Sequence, residues 1–197
     1  MTESTARRGA PRGKRPPRRS DDSSSRDHVN KSNLTTTNSL PPVEAPTGFF
    51  ELGVPARIDD GLAACGFAQP FNIQTEAVPV AMQGNDVCGR AKTGSGKTLA
   101  FGVPMLARIT DEAEPMRPLG LVLVPTRELA VQVAEVLQPV ASHAGMTVLP
   151  VYGGASRHHQ VEEMAKGVEI VVATPLRLID LIKSNEISLD RIQIVTL

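Results

Sequence analysis

Ala91-Lys92-Thr93-Gly94-Ser95-Gly96-Lys97-Thr98 decides the reading of this chain. Glycines let a loop turn its N–H groups inward around a chain of phosphates, and the lysine reaches the outer ones. A hydroxyl directly after the lysine can ligate a magnesium ion, which makes Thr98 the expected metal contact. An apolar run precedes the loop and a helical pattern follows it, so the phosphates would sit at a helix N-terminus, where free N–H groups favour anions. A nucleoside triphosphate is the ligand this spacing predicts.

Outward from the loop, continuous apolar runs alternate with helical patterns. Helices are expected over 55–65, 74–83 (interrupted at Pro79), from the loop to about Ile109, and over 126–143, 156–166 and 175–183. Strands are expected over 86–90, 119–124, 146–151, 168–173 and 191–197. Apolar strands interleaved with helices predict an α/β fold, a parallel sheet flanked by helices on both faces. In such sheets ligands sit at the carboxyl ends of the strands.

Composition divides the chain near residue 47. Residues 1–46 are rich in Arg, Ser, Thr, Asn and Pro and are read as a disordered tail, since they offer too little apolar surface to offset ordering. Residues 1–19 carry seven basic side chains against Glu3, a balance of plus six, so the neutral chain leaves minus six over 20–197. A basic tail on an acidic body suits a polyanion, and equally a solvated solubility segment. Lys14-Arg15-Pro16-Pro17-Arg18-Arg19 is also compatible with a nuclear address.

The 41% hydrophobic content with 3% aromatics and no Trp predicts an aliphatic core in the remaining domain, 47–197. Cys65 and Cys88 lack CxxC spacing and a nearby histidine, which argues against a zinc site or disulfide framework and suits a reducing cytoplasm. No run approaches the length of a membrane span, and the charged start is unlike a secretory signal. Prolines and Asp21-Asp22 argue against an amphipathic transit helix.

Beside the phosphate loop stand Pro125-Thr126-Arg127-Glu128-Leu129-Ala130, Gly153-Gly154 and Thr174-Pro175-Leu176-Arg177. Upstream lies Gly66-Phe67-Ala68-Gln69-Pro70-Phe71-Asn72-Ile73-Gln74, with Phe49 seventeen residues before Gly66. In this order and spacing residues 48–197 resemble the first half of a DEAD-box RNA helicase, a RecA-like P-loop domain.

The resemblance implies ATP and Mg2+ as ligands. Gln74 would pair with the adenine edge, for which its amide supplies donor and acceptor, and Phe49 would pack on the base. The alternative for Phe49 is a hydrophobic anchor, with Phe50 beside it able to exchange roles. Pro70 and Phe71 are read as shaping the loop. Thr93, Gly94, Ser95 and Gly96 would give backbone donors, Lys97 would hold the outer phosphates, and Thr98 the magnesium.

Pro125, Thr126, Arg127, Gly153, Gly154, Thr174, Pro175 and Arg177 would form an RNA-backbone grip indifferent to base sequence. Glu128 and Leu129 read as first-turn charge and core, and Arg177 also fits a surface ion pair. Leu176 departs from the family's usual glycine and would crowd the RNA. His158-His159 read as exposed helix residues. Ile192–Leu197 resembles the strand that leads into the family's Asp-Glu-Ala-Asp motif. By that resemblance the general base, the arginine finger and the Ser-Ala-Thr strand beside the phosphate-loop strand all belong to sequence beyond Leu197. The expected function is therefore that of an N-terminal piece of an RNA helicase, able at most to bind ATP and RNA. The alternative is a non-enzymatic RNA binder or an inactive truncated product.

Overall fold

The structure, a computed structural model, describes residues 46–197. The tail expected over 1–46 lies outside the described residues except for Pro46. A short 3-10 turn, Phe50–Leu52, opens the domain. Then follow α1 (Ala56–Ala64), α2 (Asn72–Met82), α3 (Lys97–Arg108), β1 (Gly120–Leu123), α4 (Arg127–His143) and β2 (Val148–Val151). The chain closes with α5 (Arg157–Met164), β3 (Ile170–Ala173), α6 (Pro175–Lys183) and β4 (Ile194–Thr196).

All four strands are parallel, in the order β2-β3-β1-β4. Alternate residues of each strand point to opposite faces, and each face has its own core. Val122, Ile170, Val172 and Val148 pack with Ile58 and Leu62 of α1, Val103 of α3 and Leu137 of α4. Leu121, Val171, Ala173 and Val151 pack with Met164 of α5 and Leu178 and Leu181 of α6. The helices thus cover both faces, as the apolar runs predict.

The expected strand at 86–90 does not form. Asp86–Arg90 is exposed throughout and makes no ladder bond to a described strand. A strand owes its stability to a paired neighbour and a buried face, and this segment has neither. In parallel, β4 forms an outer edge, with Val195 53% exposed. The expected break at Pro79 is also absent. Helix α2 continues through it, and α3 and α4 likewise carry Pro104 and Pro139 inside. Each proline forfeits one backbone bond, but α2 and α4 both pack along α3, and tertiary packing overrides the local loss.

The register positions the site. Leu123 pairs with Ala173, and Ala173 with Val151, so three strands end at one level. Their following loops carry Pro125–Arg127, Thr174–Arg177 and Gly153-Gly154.

Candidate functional site

The phosphate loop ends in α3, whose N-cap is Gly96 in a left-handed conformation, φ +86°. Gly94 is also left-handed, φ +80°. Side chains rarely adopt that region, which is the reason for glycine at both positions. A Cβ at Gly96 would also lie 2.4 Å from Gln74 Nε2 and 2.7 Å from Phe71 Cδ2. The loop is therefore packed directly against the start of α2.

Gln74 makes that junction. At 2% exposure it is buried, its Nε2 donates to Gly96 O at 2.9 Å, and its Oε1 accepts from Phe71 N–H at 2.7 Å. The second bond is half of a capping box, satisfying a free N–H at the helix start. A carboxamide keeps one further N–H and one further lone pair for a ligand. Beside it opens a cleft of about 360 Å³ lined by Gly66, Phe67, Gln69, Phe71, Gln74 and Leu99.

Lys97 Nζ folds back on its own loop, donating to Ala91 O at 2.6 Å and Lys92 O at 2.8 Å. Those carbonyls occupy the ammonium in the manner that phosphate oxygens would. Ser95 Oγ is buried with no hydrogen-bond partner among the described residues. Thr93 is exposed, and Thr98 lies half-buried in the first turn of α3. The loop's free N–H groups, cation and hydroxyl fit a magnesium-bound polyphosphate, which Lys97 and the backbone N–H groups would hold, with the Thr98 hydroxyl available to the metal. Among the described residues no cluster of three or more His, Cys, Asp or Glu side chains offers a separate metal site.

Phe49 differs from the base-packing role implied by the resemblance. It is completely buried in the core, with no ring face free, while Phe50 is 64% exposed. The 3-10 turn sends adjacent aromatic rings in opposite directions, so Phe49 is the anchor. Phe71, 59% exposed beside Gly96, is nearer the loop than its reading as a loop-shaping residue implied.

At the strand ends, Arg127 lies over Gly154, where a Cβ would come within 2.6 Å of its Nη1. Thr126 Oγ1 accepts from Leu129 N–H at 3.2 Å as the N-cap of α4. Glu128 is held below the usual carboxylate range, first by its own backbone N–H and then by the Thr126 hydroxyl, with Arg127 adding a smaller attraction. This matches first-turn helix charge. Leu129 departs from its expected core role. It is 38% exposed, and Ala130 and Val133 fill the core instead.

Thr174 caps α6 without a side-chain bond, and Pro175 occupies the first helical position, where no N–H is needed. Arg177 makes no ion pair among the described residues. It donates from Nη1 to Gln160 Oε1 at 3.0 Å, and from both Nη1 and Nη2 to Ala155 O at 3.4 Å. Leu176 is 80% exposed. His158 and His159 are exposed on α5, beside Glu162 and Glu163. Gln160, unremarked in the sequence, proves to be buried in this network. Its periodicity with Met164 is the only trace it leaves.

A sequence profile described as DEAD/DEAH box helicase matches residues 71–197. The pre-mRNA-processing ATP-dependent RNA helicase PRP5 of Mycosarcoma maydis is 45% identical over 142 residues, covering 71% of this chain and 12% of that protein. The DEAD-box ATP-dependent RNA helicase CshA of Bacillus cereus is 38% identical over 151 residues, covering 77% of this chain and 28% of that one. In three dimensions the chain is similar to the RNA helicase Prp28 from Chaetomium thermophilum bound to ADP. The TM-score is 0.69 at 38% identity, over 77% of this chain and 38% of that one. The chain thus spans well under a third of the length of these two curated relatives. With the profile matching most of its length, a phosphate loop leading into α3 and a parallel sheet carrying the three strand-end motifs, the chain belongs to the DEAD/DEAH box helicase family.

Proposed function

We propose that residues 47–197 form the ATP-binding, RNA-gripping first RecA-like domain of an ATP-dependent RNA helicase acting in the cytoplasm. ATP enters with its base in the cleft beside Gln74 and its phosphates on Thr93–Thr98. Lys97 exchanges Ala91 O and Lys92 O for the outer phosphates, and Thr98 holds Mg2+. Single-stranded RNA crosses the strand ends at Pro125–Arg127, Gly153-Gly154 and Thr174–Arg177, gripped through its phosphates. Binding both ligands on one domain lets a second domain close on them, part short duplexes, and release RNA after hydrolysis. Residues 1–197 alone are expected to bind ATP and RNA with little or no turnover, because phosphoryl transfer also needs a water-orienting base and an arginine finger.

The observation that carries this reading is the buried Gln74 amide tied to Gly96 O, which joins the base cleft to the phosphate loop. A fluorescent ATP analogue should bind more tightly than its GTP counterpart. Equal affinities would sink the adenine assignment, and RNA-stimulated turnover by residues 1–197 would sink the prediction of inactivity.

A further inference from the structure

Gln160 is 4% exposed, on the face of α5 that also buries Met164. Its Nε2 donates to Tyr152 O at 3.1 Å and its Oε1 accepts from Arg177 Nη1 at 3.0 Å. Arg177 donates in turn to Ala155 O. Tyr152 and Ala155 flank Gly153-Gly154 directly. One buried amide therefore fixes both ends of the glycine loop to one arginine.

The arrangement leaves that arginine available. The guanidinium edge formed by Nη1 and Nη2 faces Ala155 O, and the remaining Nη1–H faces Gln160. The Nε–H and the outer Nη2–H share another edge and have no partner among the described residues. Such a fork matches two oxygens of a phosphate. The partner's neutrality matters as well. A carboxylate at 160 would hold the guanidinium equally well but cancel the charge that attracts RNA, whereas an amide orients the cation and leaves it uncompensated. A buried polar group whose donor and acceptor are both engaged also holds its partners in one arrangement rather than several.

We propose that Gln160 is the positioning residue of the RNA-phosphate grip. It holds Arg177 and the Gly153-Gly154 loop in one geometry and keeps the cation uncompensated. This rests on the reading of Arg177 and Gly153-Gly154 as RNA contacts.

The test uses residues 1–197 as wild type, Gln160→Met, Arg177→Met and the double variant. Each is titrated with a fluorescein-labelled oligouridylate and with a fluorescent ATP analogue. Amide hydrogen exchange over 152–156 is followed with and without the RNA, which isolates this loop from binding elsewhere. Gln160→Met should weaken RNA binding roughly tenfold, the loss of one hydrogen bond to a charged group. It should abolish RNA protection of 152–156 and leave ATP-analogue affinity unchanged. The double variant should bind RNA no more weakly than Arg177→Met alone.

Wild-type RNA affinity in Gln160→Met, with Arg177→Met impaired, would overturn the proposal and leave the RNA-contact reading standing. Multiplying effects in the double variant would overturn it too, as would equal losses of ATP-analogue and RNA affinity, which mark a purely structural role. Wild-type protein whose 152–156 amides gain no protection from RNA would overturn the underlying reading and this proposal together. Should Gln160→Met not fold, Gln160→Glu replaces it. The Glu variant must also lose RNA affinity, and wild-type binding by it would overturn the proposal.

Discussion

The carboxamide of Gln74 spans twenty-two residues to donate to Gly96 O, while accepting from Phe71 N–H at the start of its own helix. One side chain thereby sets the distance between the base cleft and the phosphate loop. Gln74→Ala strips Phe71 N–H of its side-chain acceptor, while Gly96 O keeps its bond from Ala100 N–H, so the cost is that of one stranded donor, about 1 kcal/mol. The expected result is a lower melting temperature in a still-folded protein, and ATP affinity reduced roughly tenfold. Calorimetry and a fluorescent-nucleotide titration read the two effects separately. Unchanged ATP affinity with reduced stability would leave Gln74 a helix cap only.

Gly96→Ala probes the same junction from the other side. A methyl group would meet Gln74 Nε2 and Phe71 Cδ2 at sub-contact distance, on a residue already at φ +86°. Strain and displacement together should cost about 1–3 kcal/mol. Denaturant unfolding should report the loss, and nucleotide binding should fall with it. A variant as stable as wild type would mean that α2 and the loop move apart freely.

Lys97→Ala separates binding from folding. The ammonium is exposed and bonds only to carbonyls of its own loop among the described residues. Stability should change by no more than about 0.5 kcal/mol. Triphosphate affinity should nevertheless drop at least tenfold, because the charge-assisted contacts to the outer phosphates vanish. Retention of ATP affinity would show that the backbone N–H groups of Thr93–Gly96 suffice.

The elements that the sequence discloses are those whose burial is complete. Gly120–Leu123 and Ile170–Ala173 are covered on both faces, and their uninterrupted apolar runs follow directly from that. Asp86–Arg90 carries a weaker run, and its pairing depends on a neighbour that local sequence cannot supply. Phe49 and Phe50 are chemically identical. Only the 3-10 turn decides which one is buried, and turn geometry of that kind leaves little trace in side-chain pattern. The phosphate loop and strand-end motifs were legible because backbone approach to phosphate demands glycine at fixed spacing. Gln160 was not, because its importance lies in partners 8 and 17 residues away.

Acid should weaken an ion pair on the far side of the domain from these loops. Arg117 meets Asp190 at 2.5 Å and also contacts Glu114. The Asp190 carboxyl is lowered to about 2, chiefly by the Arg117 hydrogen bond and next by the Ser188 hydroxyl. Because the folded-state value lies below the unfolded one, near 3.9, the contribution is complete above about pH 4 and is lost as pH falls toward 2. The melting-temperature difference between wild type and Asp190→Asn should therefore be constant near neutrality and shrink over that window. A difference that persists unchanged at pH 2 would rule out the carboxylate as its source.

Leu176 stands between the capped start of α6 and Arg177, 80% exposed, at the position where the resemblance implies a glycine. Exposure at that level means the side chain contributes almost nothing to the core. Its isobutyl group instead occupies space beside the strand ends, where the proposed RNA backbone would run. Leu176→Gly should cost about 0.5–1 kcal/mol of helix stability through backbone entropy. It should tighten oligouridylate binding about threefold by removing the obstruction. The opposite outcome, weaker RNA binding, would mean that Leu176 packs against a base or sugar. The grip would then include an apolar contact that a glycine could not make. Fluorescence anisotropy at two salt concentrations distinguishes the cases. An apolar contact leaves the salt slope unchanged, whereas closer phosphate approach steepens it.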